Sequence, residues 1–338
     1  MKPLLLVLSF LVLTSALESQ ILSLQVRPRP LQLETHFHHN SSDYGLLRLF
    51  LKLGTPAQTG WFTVDTTSSN LAVRLCPYLT QAEYNCFHYL NSSTYQAVSE
   101  NLGKDTVYTA QRKAIPDTTF TTYTTSGLEM GKLGLGMPGS SRPPLTIFPP
   151  KFLNGFRKHM YALSLNRQLD AGSLALGSAA MCNDDNSTVY LPNTSQRYWQ
   201  FALTGVSLGS VKASFQSQAV ISTVKEYIGM PKKFLTEFTN AYGISYDSLY
   251  GAYMANCSQV STFPDLHFQV QGGASLTIGP DQYFYTKNLR RQGKCVLNME
   301  DSKTFGFGPE YFGLEIVTEY CVSFDYDKAR MGFTRSSR

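Results

Sequence analysis

Charged residues are scarce: Asp, Glu, Lys and Arg make up 16% of the 338 residues, well under the usual quarter. The formal net charge is +5, and no run of five like charges occurs. The nearest thing to a basic cluster is Arg290-Arg291 with Lys287 and Lys294, so a nucleic-acid footprint is excluded. Trp is nearly absent (2), although Tyr (20) and Phe (21) are plentiful. There is no C-x-x-C and no His at ligand spacing from a Cys pair, which argues against a zinc site. The 25 Gly and 16 Pro have no collagen-like period. No apolar run is long enough to span a bilayer; the longest, Leu4–Val12, is broken by Ser9. What remains is a chain with 43% hydrophobic residues, enough to exclude intrinsic disorder, and long enough for two lobes. Its Ser, Thr and Tyr content suits an extracellular β-rich protein.

Residues 1–16 read as a secretory signal peptide. Lys2 starts it, the apolar run follows, and Thr14-Ser15-Ala16 offers small residues for cleavage. The expected location is secreted, or the lysosomal or endomembrane lumen. Six Cys then meet an oxidising compartment. Sequence spacing suggests Cys76 with Cys86 and Cys257 with Cys295, leaving Cys182 and Cys321, one of many connectivities that six Cys allow. N-x-S/T triplets stand at Asn40, Asn91, Asn186, Asn193 and Asn256, candidate glycosylation sites if exposed.

Strand patterns dominate. Leu47, Leu49, Leu51 and Leu53 alternate with Arg48, Phe50 and Lys52 up to the turn Gly54-Thr55-Pro56. Trp61–Val64, Phe201–Leu208, the Leu266/Phe268/Val270 alternation and the Val322/Phe324/Tyr326 alternation are further β runs. The best helical pattern is Pro231–Tyr242, with Phe234, Leu235 and Phe238 on one face. The expected class is therefore all-β. Residues 17–40, with Arg27-Pro28-Arg29-Pro30 and then His36, His38 and His39, read as a short extended or mobile leader. The His trio has two readings, a metal site or a solvated tail, and the tail is the expectation. The polar stretch Cys182–Gln196 reads as a surface connection between an N-terminal lobe, 41–182, and a C-terminal lobe, 183–338. A faint repeat supports two similar halves: Val64-Asp65-Thr66-Thr67 echoes Val220-Ile221-Ser222-Thr223-Val224, and Leu133-Gly134 echoes Phe312-Gly313.

Leu53-Gly54-Thr55-Pro56-Ala57-Gln58, followed by Val64-Asp65-Thr66-Thr67-Ser68-Ser69-Asn70-Leu71, resembles the pepsin-like aspartic peptidases, where G-T-P-x-Q precedes D-T-G-S-S-N-L. The resemblance runs on through Cys76 and Cys86, Ser93-Thr94-Tyr95, Lys132-Leu133-Gly134-Leu135-Gly136, Tyr198-Trp199-Gln200-Phe201, Phe263-Pro264-Asp265-Leu266, and Tyr320-Cys321 to Phe333. A Cys before the final strand, with a partner near the lobe boundary, looks most like the nematode branch. The resemblance implies a bilobal β fold with a cleft, each lobe offering one Asp at a loop tip. Two carboxylates held together cannot both ionise, so one becomes acid and one base, and the pair titrates as a unit.

The sequence departs from that pattern. Asp65 is kept, but the Gly two places on is Thr67, a β-branched residue that resists φ > 0. The second Asp position is Ser222 and its Gly is Val224; a Ser hydroxyl cannot share a proton with Asp65. The Trp after N-L is Ala72, and Phe312-Gly313-Leu314 lacks a further Asp. The cleft-covering hairpin reads as shortened, because Gly103–Val107 matches the strand after it and only seven residues, Gln96–Leu102, precede. Asp65 is either a surviving catalytic acid or a buried relic bonded to Thr66, Ser68 or Thr223, and the relic is the expectation. Ser222 lacks a nucleophile's context: no G-x-S-x-G occurs, and His88, His159 and His267 stand outside any motif. Glu226, Asp117 and Glu129 are the candidate substitute carboxylates.

Three functions stand open: a non-catalytic secreted protein binding a peptide, inhibitor or carbohydrate in its cleft; a residually active aspartic endopeptidase working at acid pH; or a storage or structural protein. The short leader, with only Arg27 and Arg29 as bases, fits the first. No cofactor, nucleic acid or membrane span is expected, and the chain should be a monomer, since it already supplies both lobes.

Overall fold

The computed structural model describes residues 20–26, 47–76, 85–108, 114–125, 129–140, 156, 158–166, 171–182, 187–225, 227–248, 251–285, 293–302, 310–312 and 316–336. The first half contributes β1 (Gln20–Val26), β2 (Leu47–Leu53), β3 (Gln58–Asp65), β4 (Leu71–Arg74), β5 (Gln96–Ser99), β6 (Leu102–Tyr108), β7 (Ala114–Tyr123), β8 (Gly131–Gly134), β9 (Met160–Leu165) and β10 (Ala171–Leu176). The second contributes β11 (Val189–Pro192), β12 (Gln200–Leu208), β13 (Val211–Ile221), β14 (Ile228–Met230), β15 (Ser245–Asp247), β16 (Ala252–Asn256), β17 (Leu266–Val270), β18 (Ser275–Ile278), β19 (Phe284–Tyr285), β20 (Lys294–Leu297), β21 (Met299–Asp301), β22 (Glu310–Phe312), β23 (Tyr320–Asp325) and β24 (Arg330–Arg335).

The alternation in β2 is what the sequence predicts: its four Leu are buried, Arg48 and Lys52 half-buried and Phe50 exposed. The chain then turns back into β3 at Gly54, which adopts φ +84°. A Cβ there would sit 2.8 Å from Ser92 Oγ, so glycine is needed for both conformation and space. The helix α1 (Lys232–Ala241) buries Phe234, Leu235 and Phe238, as its spacing predicts, directly after Pro231.

One thirteen-stranded sheet runs through both halves in the order β11-β24-β23-β9-β10-β1-β2-β3-β8-β4-β7-β6-β5. The halves meet where β23 pairs antiparallel with β9, Val322 opposite Leu163 and Phe324 opposite Tyr161. The disulfide Cys182–Cys321 lies at this seam, within a small cluster that includes Ala162 and Ala175. Cys76–Cys86 and Cys257–Cys295 complete the set, the pairing suggested by spacing.

The internal repeat is structural. In the first half β3 pairs parallel with β8, β8 antiparallel with β4, and β4 parallel with β7. In the second, β13 pairs parallel with β22 and β14 parallel with β21, with β14 running beside β22. The result is the two-lobed β architecture that the sequence resemblance implied.

Three sequence expectations need correction. Part of the leader is not loose: β1 pairs with β10 from Gln20–Leu176 to Gln25–Ala171 and touches β2. Its partner lies about half the chain away, which local pattern cannot reveal. Part of the presumed surface connection is also a strand, since Val189–Pro192 pairs with β24. Finally, the hairpin after Tyr95 is not shortened. β6 pairs with β7 from Leu102 opposite Thr121 to Tyr108 opposite Ala114. Gly103–Val107 is therefore the hairpin's first strand rather than the strand after it, and its register is set by long-range pairing of Val107 with Leu53 of β2. Residues 109–113 lie outside the described residues, as do residues 1–16, the His trio, Asn40, Asn186, Glu226 and Gly313-Leu314.

Candidate active site

Two buried strand ends build the site. In β3, Phe62 and Val64 are core residues and Asp65 ends the strand at 3% exposure. In β13, Ala219, Val220 and Ile221 are buried and lead into Ser222 and Thr223, which are closed off from solvent. Each end lies against a parallel neighbour, Asp65 opposite Gly134 and Ile221 opposite Phe312. The loop after Asp65 folds back over Gly134, where a Cβ would lie 2.5 Å from Asn70 O and 2.7 Å from Ser68 O. Only glycine permits that passage.

The loops are locked together by a reciprocal set of bonds. Thr66 Oγ1 donates to Ile221 O (2.8 Å) and accepts from Thr223 N (3.2 Å). Thr223 Oγ1 donates to Val64 O (2.7 Å) and accepts from Thr66 N (3.1 Å). This symmetry makes Asp65 and Ser222 counterparts, each the residue before a gripping Thr.

Asp65 is not bonded to Thr66, Ser68 or Thr223, as the sequence reading expected of a relic. Its Oδ1 accepts from Thr67 N (2.7 Å) and Thr67 Oγ1 (2.6 Å). Its Oδ2 faces Lys132 Nζ at 3.4 Å. Nor is Thr67 forced into the left-handed region; among the described non-glycine residues only Asp117 and Ala329 have positive φ. The methyl-bearing side chain is accommodated, and its hydroxyl is turned to the carboxylate. Lys132, on β8, lies directly opposite Ala72 of β4. Its side chain is 35% exposed against 4% for Asp65. The sequence did carry a signal for Lys132: a lone cation inside Met130-Gly131-Lys132-Leu133-Gly134-Leu135, an apolar strand, needs a partner.

No substitute carboxylate reaches Asp65 among the described residues. Asp117 pairs with Lys104 at 2.7 Å, and Glu129, though buried, makes no bond to Asp65. Ser222 Oγ and Ser68 Oγ are buried without a hydrogen-bond partner among the described residues. His159 holds Asp327 (Nδ1–Oδ1 2.8 Å) and His267 holds Thr277 (2.9 Å), so neither serves Ser222. Cys76, Cys86 and His88 lie at ligand-like spacing, but the two sulfurs are bonded to each other and offer no thiolate. Of the sequons, Asn91 and Asn256 are exposed. Asn193 uses its amide on Ser195 O and Gln200 N.

Beneath Asp65 lies an aromatic floor. Leu135 N donates to Asp65 O (2.7 Å). Leu135 O receives Trp199 Nε1 (2.8 Å), Tyr161 Oη (3.0 Å) and Tyr326 Oη (2.7 Å). Burial pushes both phenols well above the ordinary tyrosine range, and the negative charge of Asp65 adds to the effect at Tyr161. The unfolded chain releases these protons from about pH 10, whereas the folded chain keeps them, so stability is level below about pH 10 and falls above it. Urea midpoints measured from neutral to strongly alkaline pH should show this decline, and Tyr161→Phe with Tyr326→Phe should flatten it. A curve unchanged by the two substitutions would place the alkaline instability elsewhere.

The architecture, the paired strand-end loops and the Thr66–Thr223 lock define a protein of the two-lobed aspartic-peptidase class. Residues 49–336 match the family described as eukaryotic aspartyl protease, and the chain belongs to that family. It is similar to aspartic protease 1 of Caenorhabditis elegans, 25% identical over 84% of this chain and 80% of that one. It is as similar to gastricsin of Cavia porcellus, 25% identical over 85% and 79%. The match to aspartic protease 17 of C. elegans, 26% identical, covers 61% of this chain and 54% of that relative.

Proposed function

We propose that this protein is a non-catalytic member of the aspartyl protease family whose cleft binds an extended peptide. The observation that carries this reading is the charge at the loop junction: Ser222 stands where the second acid is needed, and the outer oxygen of Asp65 faces an ammonium. Aspartic proteolysis needs a proton shared between two carboxylates, one ionised to activate water and one protonated to support the carbonyl. A carboxylate beside an ammonium is neutral as a pair but has no second acid with which to exchange that proton. A positioned acid–base partner typically contributes about 10²–10⁴-fold to rate, so its loss removes useful turnover while the cleft and sheet edges still receive extended chains. The three disulfides support an oxidising compartment. We read residues 1–16 as a cleaved signal, Asn91 and Asn256 as exposed glycan acceptors, the lobes as dividing after Cys182, and the chain as a monomer. Residual acid endopeptidase activity is the competing reading, and no observed contact favours it.

The test is digestion of a denatured protein at acid pH. Wild type and Asp65→Asn are expected to show the same background. Pepstatin-sensitive cleavage that disappears in Asp65→Asn would restore the protein to the active peptidases.

A further inference from the structure

The leucines that β2 turns into the core leave Arg48, Phe50 and Lys52 on its opposite face. In β3 the core takes Phe62 and Val64, so Trp61 shares that outward face and stands directly opposite Phe50. The two rings stack, with centroids 3.4 Å apart and planes 29° from parallel. The Arg48 guanidinium lies over the Trp61 ring, 4.4 Å from its centroid. Phe50 remains 49% exposed.

Two features set this patch apart from an ordinary exposed aromatic. The first is unbalanced charge. Tyr190 also carries an arginine, Arg330, at 3.8 Å, but Arg330 faces Asp325 at 3.7 Å. Lys104, Lys132 and Lys233 face Asp117, Asp65 and Glu237. Arg48 and Lys52 have no carboxylate partner among the described residues, and Arg48 Nε is buried there without an acceptor. The second is spacing. Two residues of strand place Arg48 and Lys52 each about 7 Å along β2 from Phe50, one on either side. The face thus reads cation, aromatic platform, cation.

We propose that this face binds an acidic oligosaccharide, one sugar ring resting on Phe50 while carboxylate or sulfate groups on either side reach Arg48 and Lys52. A pyranose has an apolar C–H face that packs on an aromatic ring and a rim of hydroxyls that stays in water. An open sheet face suits that shape, whereas an apolar side chain gains most from an enclosing pocket. The guanidinium is held against Trp61, so its fork is presented to an anion with little further ordering. Contacts between a cation and an anionic oxygen are charge-assisted and stronger than neutral ones. The site uses neither Asp65 nor Ser222, so it stands or falls apart from the peptide-binding reading of the cleft.

The probes are hexasaccharides of hyaluronan and heparin, which carry carboxylate and sulfate, with neutral maltohexaose and hexaglutamate as comparisons. Trp61 is one of two tryptophans, and the other, Trp199, is closed off from solvent, so a change in emission reports the patch. At least one acidic hexasaccharide should change that emission and bind by calorimetry, more weakly as salt is added. R48Q should weaken binding about tenfold, the scale of one hydrogen bond to a charged group. F50S should weaken it about fivefold through lost stacking. Both substitutions lie on the outward face, and thermal melts check that each variant is folded. Binding of neither acidic sugar overturns the proposal. Maltohexaose binding equally well overturns the role of the cations. Hexaglutamate binding equally well, or F50S leaving affinity unchanged, reduces the site to bare charge and overturns the sugar assignment.

Discussion

The triple variant Ser222→Asp, Thr67→Gly, Lys132→Met should digest protein at acid pH, at least about 10²-fold faster than wild type, the low end of what a positioned acid–base partner contributes. The frame for this gain is in place. Thr223 is locked to Thr66, so an Asp at 222 would start from the symmetric counterpart of Asp65. Each further change lifts a specific obstruction. Lys132→Met removes the ammonium at 3.4 Å from Oδ2, and Thr67→Gly removes the hydroxyl that occupies Oδ1 at 2.6 Å. Ser222→Asp alone should remain near background, because the new carboxylate would face a partner already balanced by a cation. Asp65→Asn in the triple variant should abolish the gain. A triple variant no faster than wild type would show that the deficit is not at the loop junction.

Thr66→Val should be the costliest single change of a polar residue. It leaves Ile221 O and Thr223 N buried without their partner, and one unsatisfied buried group costs about 1–3 kcal/mol, so the loss for the two is roughly 2–6 kcal/mol. Thr223→Val strands Val64 O and Thr66 N in the same way. The double variant should lose less than the sum, since each single change already breaks part of a shared network. Urea denaturation measures all three. A loss under about 1 kcal/mol for Thr66→Val would mean that water replaces the lock and that the loops are not held by it.

Much of this was legible in the sequence where local pattern decides structure. The β2 alternation and the helix of Pro231–Tyr242 follow from side-chain period, because one face of each is buried. The two loops were legible because the halves repeat: Val64–Thr67 and Val220–Val224 share an apolar run, a polar residue and a Thr, and the two Thr prove to be the locking pair. Features set by distant pairing were not legible. β1 takes its place from β10, and the β6–β7 register comes partly from β2. Lys132 was visible as an odd cation in an apolar strand, but its partner could be named only once β3 and β8 were aligned in parallel.

The sulfur link at the seam gives the molecule a property independent of its cleft. Cys182 closes the first half and Cys321 sits in β23, 139 residues later. A protease that nicks any one peptide bond between them produces no free fragment; the clipped chain stays a single covalent body and runs as two bands only after reduction. Together with the shared sheet, this keeps the two halves joined after a single cut between them.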